Sequence, residues 1–263
     1  MARKKNPDAK MSLSGHLKEL RNRLFWSALF ILGGSVAGWF MFDFVFEQLQ
    51  RPIVELANEP GGNATINFPT VVSAFDVRLQ VSIFLGVLMA SPVWLFNLWA
   101  FITPGLRQRE KRYTIGFVFT AVPLFAAGTA LAWNSLPAFV TVLVGFTPDG
   151  AANVINASEY ILFTTRILLV FGLAFVLPVV LVMLNFAGVI TAENIIKSWR
   201  LAVFVSAVVG AIATPAAEPM AMFLLMIPLL LLYFLAAGVA QINDKRVAKK
   251  LASFDQDLPQ ATE

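Results

Sequence analysis

The sequence predicts an all-α integral membrane protein with six transmembrane helices and both termini in the cytoplasm. Of the 263 residues, 58% are hydrophobic and 14% are charged, and the mean hydropathy is +0.72. A soluble domain averages about 45–50% apolar and about 25% charged residues. The charges form short clusters, and the runs between them are near or above the roughly 17–25 apolar residues that cross a bilayer. The positions of lysine and arginine predict which ends of the helices face the cytoplasm.

Six uncharged runs define the spans. We predict these spans at residues 22–43, 76–100, 113–137, 159–186, 199–214 and 219–241. With a basic cytoplasmic arm at residues 1–15, they form one membrane domain over residues 1–243. The polar stretch 244–263 is expected to be a disordered cytoplasmic tail. The shortest run, Leu201–Ala217, just suffices to cross, with local thinning of the bilayer.

Prolines interrupt four of the predicted spans. Pro92, Pro123, Pro178 and Pro228 each fall inside an apolar run, where proline removes a backbone hydrogen bond and bends the helix. Bent helices of unequal length predict a concave, rigid scaffold with no closed pore of its own.

Positive charge is strongly biased to one side of the predicted membrane. All but three of the 20 lysines and arginines lie on segments that six spans would place together; the exceptions are Arg51, Arg78 and Arg166. Cytoplasmic segments carry this excess. The first apolar run is long and lacks a small-residue cleavage site, so we expect it to remain as span 1. The basic residues lie at span ends, which argues against nucleic-acid binding.

Two longer loops are predicted on the outer side, Phe44–Arg78 and Thr147–Glu159. NEPGGNATINFP in the first and TPDG in the second contain the Gly, Asn and Pro residues of turns. NASEY, at the end of the second loop, is typical of a helix cap. We expect the loops to form a small cap over the helix ends.

Polar residues near the spans are predicted to serve packing. At the outer ends, Arg78 and Arg166 are expected to pair with Asp76 and Glu159. Polar side chains within spans, such as Asn185, are expected to form hydrogen bonds between helices.

The chain lacks the residue patterns of common membrane enzymes. It has no HExxH or GxSxG motif, His16 is its only histidine, and it has no cysteine, so disulfides and thiolate metal sites are excluded. We expect no enzymatic activity, no cofactor and no metal. The span centres hold no ionisable residue and the sequence shows no internal repeat, which argues against a secondary transporter of a small solute. That transporter and a purely structural membrane protein are the alternatives.

Two glutamates stand inside basic clusters at cytoplasmic span ends. HLKELRNR contains Glu19, and FITPGLRQREKR contains Glu110. One interpretation is local: Glu19 pairs with Arg23 at i,i+4, and Glu110 offsets its neighbours. The other is a binding site in which both carboxylates, kept ionised by the cations, receive a ligand with two guanidinium groups. Such groups form charge-assisted and often bidentate hydrogen bonds with carboxylates.

These segments resemble the TatC family, the membrane receptor subunits of the twin-arginine protein translocase. HLKELRNR is similar to the family's amino-terminal pattern, and SPVWLFNLWAFITPGLRQREKR is similar to its first cytoplasmic loop. FVLPVVLVMLNFAG, at Phe175–Gly188, and the ATP at Ala213–Pro215 resemble two later family motifs. The resemblance covers the chain from about Ser14 to Asn243.

The resemblance implies a function. TatC-like proteins in the cell membrane bind twin-arginine signal peptides of folded cargo, assemble with other TatC copies, and recruit the single-span subunits TatA and TatB for export driven by the proton-motive force. By position, the resemblance implies a signal-peptide site at Glu19, Leu20, Arg21, Phe101, Pro104 and Glu110. In it, Glu19 and Glu110 bind the two arginines, and Arg21 is interpreted as orienting the carboxylates. Pro52 matches a proline of the family's first outer loop.

Partner helices are expected at the last two spans, where small and flexible residues permit close contact. The residues assigned to this contact are Ser206, Gly210, Thr214, Met220, Met222 and Met226. One position departs from the family pattern: related sequences often carry a glutamate directly after Phe175, where this chain has Val176. A gating or partner role of that glutamate is therefore not expected to transfer.

Overall fold

A computed structural model describes residues 13–58, 64–102, 111–148, 151–213 and 219–256. Within these ranges the chain is almost entirely helical. Its elements, in chain order, are α1 (Leu13–Asn58), β1 (Ala64–Asn67), α2 (Ser73–Met89), α3 (Ser91–Ile102), α4 (Lys111–Val144), β2 (Asn153–Asn156), α5 (Ala157–Phe186), α6 (Ala192–Lys197), α7 (Trp199–Ala213) and α8 (Pro219–Gln256).

The predicted membrane-spanning character is confirmed. In the described part of the chain, α1, α4, α5 and α8 are long and apolar enough to cross a bilayer, and α2 with α3 makes a fifth span if the bent pair is counted as one. Helix α7 has 15 residues, about 22 Å at 1.5 Å per residue, which is less than a hydrocarbon core of about 30 Å. Six spans with cytoplasmic termini stay a prediction.

The second predicted span is not one continuous helix. It breaks at Ala90, where α2 and α3 meet at 61°. Pro92 lies in the first turn of α3, where the missing N–H costs no hydrogen bond. The bend that we predicted at Pro92 is thus confirmed, and the bent pair of α2 and α3, counted as one span, is the counterpart of the predicted span 76–100.

Two helices extend further than their apolar runs. Helix α1 occupies residues 13–58 and not only 22–43. Helix α8 continues through Gln256, so the expectation of a disordered tail from residue 244 is wrong for residues 244–256; residues 257–263 lie outside the described part. A helix that leaves the bilayer can continue into water, because its backbone groups still form hydrogen bonds with each other there. The hydropathy of the sequence therefore does not show where such a helix ends.

The two outer loops pair with each other. Strands β1 and β2 form a two-stranded parallel sheet in which Ala64 faces Asn153 and Asn67 faces Asn156. Asn156 then caps α5, accepting a hydrogen bond of 3.0 Å from the Ser158 amide. This sheet is the small cap that we expected. We call this end of the molecule the cap end, and the opposite end, where α1 begins and α3 ends, the base.

Arg78, on α2 near the cap end, does not pair with Asp76 as expected. Its guanidinium lies 5.0 Å from the ring centroids of both Trp39 and Phe42 on α1, and its Nη2 lies 3.6 Å from a carboxylate oxygen of Asp43. Arg78 therefore joins α2 to α1. Among described residues, Asp76 accepts a hydrogen bond from Gln80 instead.

Helices α1 and α2 cross in close contact at glycines. A Cβ at Gly86 of α2 would lie 2.5 Å from the Ile31 carbonyl oxygen and 2.7 Å from the Ser35 amide nitrogen of α1. A Cβ at Gly34 would lie 3.0 Å from Gly86 Cα. Small residues at such crossings let helix backbones approach within a membrane.

Candidate functional site

Of the signal-peptide residues implied by the resemblance, Glu19 and Phe101 lie near the place where α1 and α3 meet at the base. The His16 ring stacks on the Phe101 ring, with centroids 4.4 Å apart and an interplanar angle of 14°. Further along both helices, Asn97 Nδ2 donates to Ser27 Oγ at 3.0 Å. These two contacts show that α3 runs antiparallel to the first turns of α1. The bend at Ala90 directs α3 along this course.

One face of α1 points toward α3. Positions i, i+3, i+7 and i+11 share a face of a helix; here these positions are His16, Glu19, Arg23 and Ser27. All four are buried or half-buried, whereas Arg21 is exposed. Glu19 therefore lies between the two interhelical contacts, in the crevice between α1 and α3.

Glu19 is held by Arg23. Arg23 Nε donates to Glu19 Oε1 at 3.0 Å, and Arg23 Nη2 contacts the same oxygen. The local pairing that we considered from the sequence is thus confirmed. The cation that positions Glu19 is Arg23 and not Arg21, which is two residues from Glu19 and on another face of the helix.

The second oxygen of Glu19 has no hydrogen-bond partner in the part of the chain described. Oε2 is buried, although the Glu19 side chain as a whole is 20% exposed. A buried carboxylate oxygen without a donor costs free energy. This acceptor is therefore open to a donor from outside the described residues.

The other residues assigned to the site by resemblance have different surroundings. Leu20 and Phe101 are half-buried, and Pro52 is buried within α1. Glu110 and Pro104 lie outside the described residues. The described chain before them ends with Phe101 and Ile102, in the last turn of α3.

The residues that we assigned to partner helices lie largely between α7 and α8. Ser206 is buried, and a Cβ at Gly210 would lie 2.8 Å from Met222 Cγ. Both residues thus contribute to packing inside the chain, and the expectation that they face a partner is corrected. Met222 and Met226 are half-buried. Thr214 and the Met220 side chain lie outside the described part.

An apolar cavity of about 390 Å³ lies between α5, α6, α7 and α8. Leu177 and Leu181 of α5, Val205 of α7 and Tyr233 of α8 line it. Leu177 and Val205 are substantially exposed, so the cavity opens to the surroundings of the helices. The cavity provides an apolar wall between α5 and α7.

Val176 is not part of that cavity wall. It is 3% exposed and belongs to a buried cluster with Leu95 and Trp99 of α3 and Phe117 and Phe125 of α4. An apolar side chain suits this position, since a carboxylate here would need a partner. The departure from the family pattern is thus accommodated by packing.

A polar cluster at the base was not assigned from the sequence. Asp244, on the extension of α8, accepts hydrogen bonds from Asn185 Nδ2 at 2.8 Å and from the Ala192 amide at 2.7 Å. Asn243 donates to Asn185 Oδ1 at 3.0 Å. Asn185 was expected to bond between helices, and this is confirmed. The sequence contained a pattern that could have identified Asp244: like Glu19, it is an acidic residue followed by basic residues at the end of a span.

Comparison with known proteins identifies the family. The family model for the Sec-independent protein translocase protein TatC matches residues 15–228. This chain belongs to the TatC family. It is 42% identical over 243 residues to the TatC protein of Xylanimonas cellulosilytica, covering 92% of this chain and 88% of that protein. It is 31% identical to TatCy of Bacillus subtilis, covering 94% and 95%.

Two crystal structures described as the twin-arginine translocase receptor TatC, one of them in the detergent DDM, are similar to this fold. Their TM-scores are 0.74 and 0.73 at 33% and 32% identity. Each covers 86% of this chain, and the matches extend over 99% and 98% of those chains. As a TatC-family member, the chain is a membrane-embedded component of a protein translocase, and its partners belong to the Tat system. Family membership favours this role over the transport of a small solute.

Proposed function

We propose that this chain is the receptor and core subunit of a twin-arginine translocase, and that it binds the paired arginines of signal peptides at Glu19 and Glu110. The observation that carries the proposal is the buried Oε2 of Glu19, which has no donor among the described residues while Arg23 occupies Oε1. A guanidinium group supplies two parallel N–H donors. It would satisfy this oxygen and extend the existing charge-assisted contact.

The joint between α1 and α3 supports the participation of Glu110. Phe101 stacks on His16, one turn of α1 before Glu19, and the segment that leads to Glu110 starts in the residues after Phe101. Two carboxylates would match two consecutive arginines better than one carboxylate would. A peptide with two lysines would lose the bidentate contacts.

The apolar part of the signal peptide would follow the arginines into the bilayer. We place it against the cavity wall formed by Leu177, Leu181 and Val205, because its side chains are apolar and the cavity opens outward. In the proposed orientation the base faces the cytoplasm of a cell membrane, which agrees with the distribution of lysine and arginine.

Partner helices, by the same proposal TatA, TatB or a second TatC copy, would pack on the exposed face of α7 and α8. Phe204 of α7 is 64% exposed and Ile227 of α8 is 61% exposed, whereas Ser206 is buried and Gly210 packs on Met222 of α8. Phe204→Ala should reduce co-purification of TatA or TatB. The matched control is Phe119→Ala on α4, where the ring is 82% exposed but lies on a different helix. Equal co-purification with both variants would refute this placement.

Peptide binding tests the receptor function directly. The protein in nanodiscs would be titrated with a twin-arginine signal peptide and with its twin-lysine counterpart. We expect arginine-selective binding that Glu19→Gln and Glu110→Gln each weaken by at least tenfold, since a charged hydrogen bond is worth about 1.5–3 kcal/mol. Glu193→Gln is the control, because Glu193 pairs with Lys197 on the surface of α6. If both peptides bind equally to all four proteins, the proposed site is wrong.

A further inference from the structure

The cavity between α5, α6, α7 and α8 is apolar along most of its length and polar at its base end. It follows α7 from Leu201 to Val209, about 12 Å at 1.5 Å per residue, and it opens beside Leu201, which is 62% exposed. A helix segment of that length is about 10–12 Å across and has at least roughly twice the volume of this cavity of 390 Å³. A single hydrocarbon chain therefore suits the space, and a partner helix does not.

The short helix α6 forms the base end of the cavity. Ile195 of α6 is buried, and its carbonyl accepts a hydrogen bond from the Tyr233 hydroxyl of α8, which fixes α6 at this place. Asn194 and Ser198 line the mouth of the cavity and are exposed. The Ser198 hydroxyl donates to the Asn194 carbonyl at 2.8 Å, but the side-chain amide of Asn194 forms no hydrogen bond with any described residue. This amide is open to a polar group at the mouth.

Positive charge surrounds the mouth. Lys197, in the last turn of α6, and Arg200, in the first turn of α7, lie within one turn of Ser198. Lys197 pairs with Glu193 at 2.6 Å, but the two side chains are 72% and 73% exposed, and such pairs contribute little. Arg200 lies 5.7 Å from the ring centroid of its neighbour Trp199 and forms no ion pair with any described residue. Two cations thus face one carboxylate, and we call Asn194, Lys197, Ser198 and Arg200 the cationic mouth.

The cationic mouth suits the level of the lipid headgroups. Trp199 beside it is 47% exposed, and tryptophan is enriched where a bilayer meets water. In the orientation proposed for the chain, the base faces the cytoplasm, and the cytoplasmic leaflet carries anionic lipids. The cavity therefore leads from a positively charged mouth at the headgroups into the hydrocarbon core.

We propose that this cavity binds an anionic phospholipid, with one acyl chain between α5 and α7 and the phosphate at the cationic mouth. The phosphate accepts a hydrogen bond from the Asn194 amide and charge-assisted hydrogen bonds from Lys197 and Arg200. This binding needs no signal peptide. The apolar part of a signal peptide, placed against the same wall, would displace the acyl chain, and this consequence rests on the proposed function.

Native mass spectrometry of the full-length protein in detergent counts the bound lipids. The delipidated protein would be titrated with phosphatidylglycerol, which is anionic, and with phosphatidylcholine, which is zwitterionic, both with the same acyl chains. We expect one phosphatidylglycerol to bind first, and more tightly than phosphatidylcholine. Lys197→Gln and Arg200→Gln should each lower the affinity for phosphatidylglycerol about fivefold, the factor that corresponds to about 1 kcal/mol per cation, and should change that for phosphatidylcholine less.

Matched controls separate the mouth and the cavity from the rest of the surface. Lys249→Gln removes an exposed cation of α8 that lies about 24 Å beyond Tyr233 along the helix, and it should change neither affinity. Val205→Trp fills the cavity and should prevent the binding of both lipids. Val208→Trp makes the same change on α7 at a position outside the cavity lining, where the side chain is 39% exposed, and should leave binding intact.

Three results would each overturn the proposal: equal affinities of the wild-type protein for the two lipids, unchanged phosphatidylglycerol affinity in both Lys197→Gln and Arg200→Gln, or equal lipid binding by Val205→Trp and Val208→Trp. If Val205→Trp lowers co-purification of TatA or TatB and leaves lipid binding unchanged, a partner helix is the occupant and the proposal is wrong. Should Val205→Trp fail to insert, Leu177→Trp fills the cavity from α5 and is read in the same way. Arginine-selective peptide binding tests the receptor function separately from all of these results.

Discussion

Replacing Gly86 by alanine should separate α1 from α2. The added Cβ would lie 2.5 Å from the Ile31 carbonyl oxygen and 2.7 Å from the Ser35 amide nitrogen. Both are backbone atoms of α1, so no rotamer change relieves the contact, and the helices must move apart. Overpacking of this kind costs about 1–3 kcal/mol of unfolding free energy, a large part of the marginal stability of a protein.

The displacement should also reach the candidate site. The Ala90 amide donates to the Gly86 carbonyl at 3.0 Å, directly before the bend that directs α3 along α1. Movement of Gly86 away from α1 therefore moves the start of α3. We expect Gly86→Ala to lower the melting temperature in detergent by several degrees and to weaken twin-arginine peptide binding.

Gly33→Ala is the matched control. Gly33 lies on α1 next to the crossing, and a Cβ there would meet nothing within 4 Å. Since alanine is the better helix former by about 1 kcal/mol, this variant should be as stable as the wild type or slightly more stable. Both variants would be measured by thermal unfolding monitored through tryptophan fluorescence. Equal melting temperatures for the two would refute the steric reasoning.

Three further predictions concern α6 and α8. Asp244→Ala should lower the free energy of unfolding by about 2 kcal/mol, because two charge-assisted hydrogen bonds are lost. Lys245→Ala, at the exposed neighbouring position, is the control and should not change the melting temperature in the same thermal unfolding assay. Tyr233→Phe removes a hydroxyl that donates to a carbonyl of α6 and should cost about 1 kcal/mol; an unchanged melting temperature would contradict the bond. The pKa of Glu193 is lowered by hydrogen bonding and charge attraction from Lys197, so this pair stabilises α6 above the ordinary pKa of glutamate and loses its effect as pH falls through the lowered value. The protection factors of the α6 amides, which correct for the intrinsic pH dependence of hydrogen exchange, should therefore fall at acidic pH, and should change less with pH in Glu193→Gln; an equal pH dependence in both proteins would contradict the role of this pair.

The sequence predicted well those helices that lie within the bilayer, because the bilayer restricts which residues they can contain. A span must be apolar over its whole length and must satisfy its own backbone, so α4 and α5 were found near their observed positions. The polar end of α8 is not restricted in this way, because water can also form hydrogen bonds with its backbone groups. Its helical structure was therefore not predicted. The break between α2 and α3 was predicted only as a bend at Pro92, because the apolar run continues through Ala90.

The candidate site was predicted in part. Local pairing of Glu19 with Arg23 follows from their four-residue spacing, and the structure confirms it. The contact of His16 with Phe101 joins residues far apart in sequence, and no periodic pattern reveals it. For the same reason Arg78 was assigned to the nearby Asp76, although its observed ionic partner is Asp43 of another helix.

The parallel pairing of β1 and β2 has a mechanical consequence. Strand β1 follows α1 and strand β2 precedes α5, so the sheet ties the hairpin of α1 and α2 to that of α4 and α5 at the cap end. The same helices share a buried core further along, where Val81 of α2 and Leu168 of α5 lie in one cluster, and toward the base Trp99 of α3 stacks on Phe117 of α4 with ring centroids 4.6 Å apart. The hairpins are therefore joined along their length, so a force applied to the outer loops would pass into the packed helices and would not be absorbed by a flexible joint at the sheet.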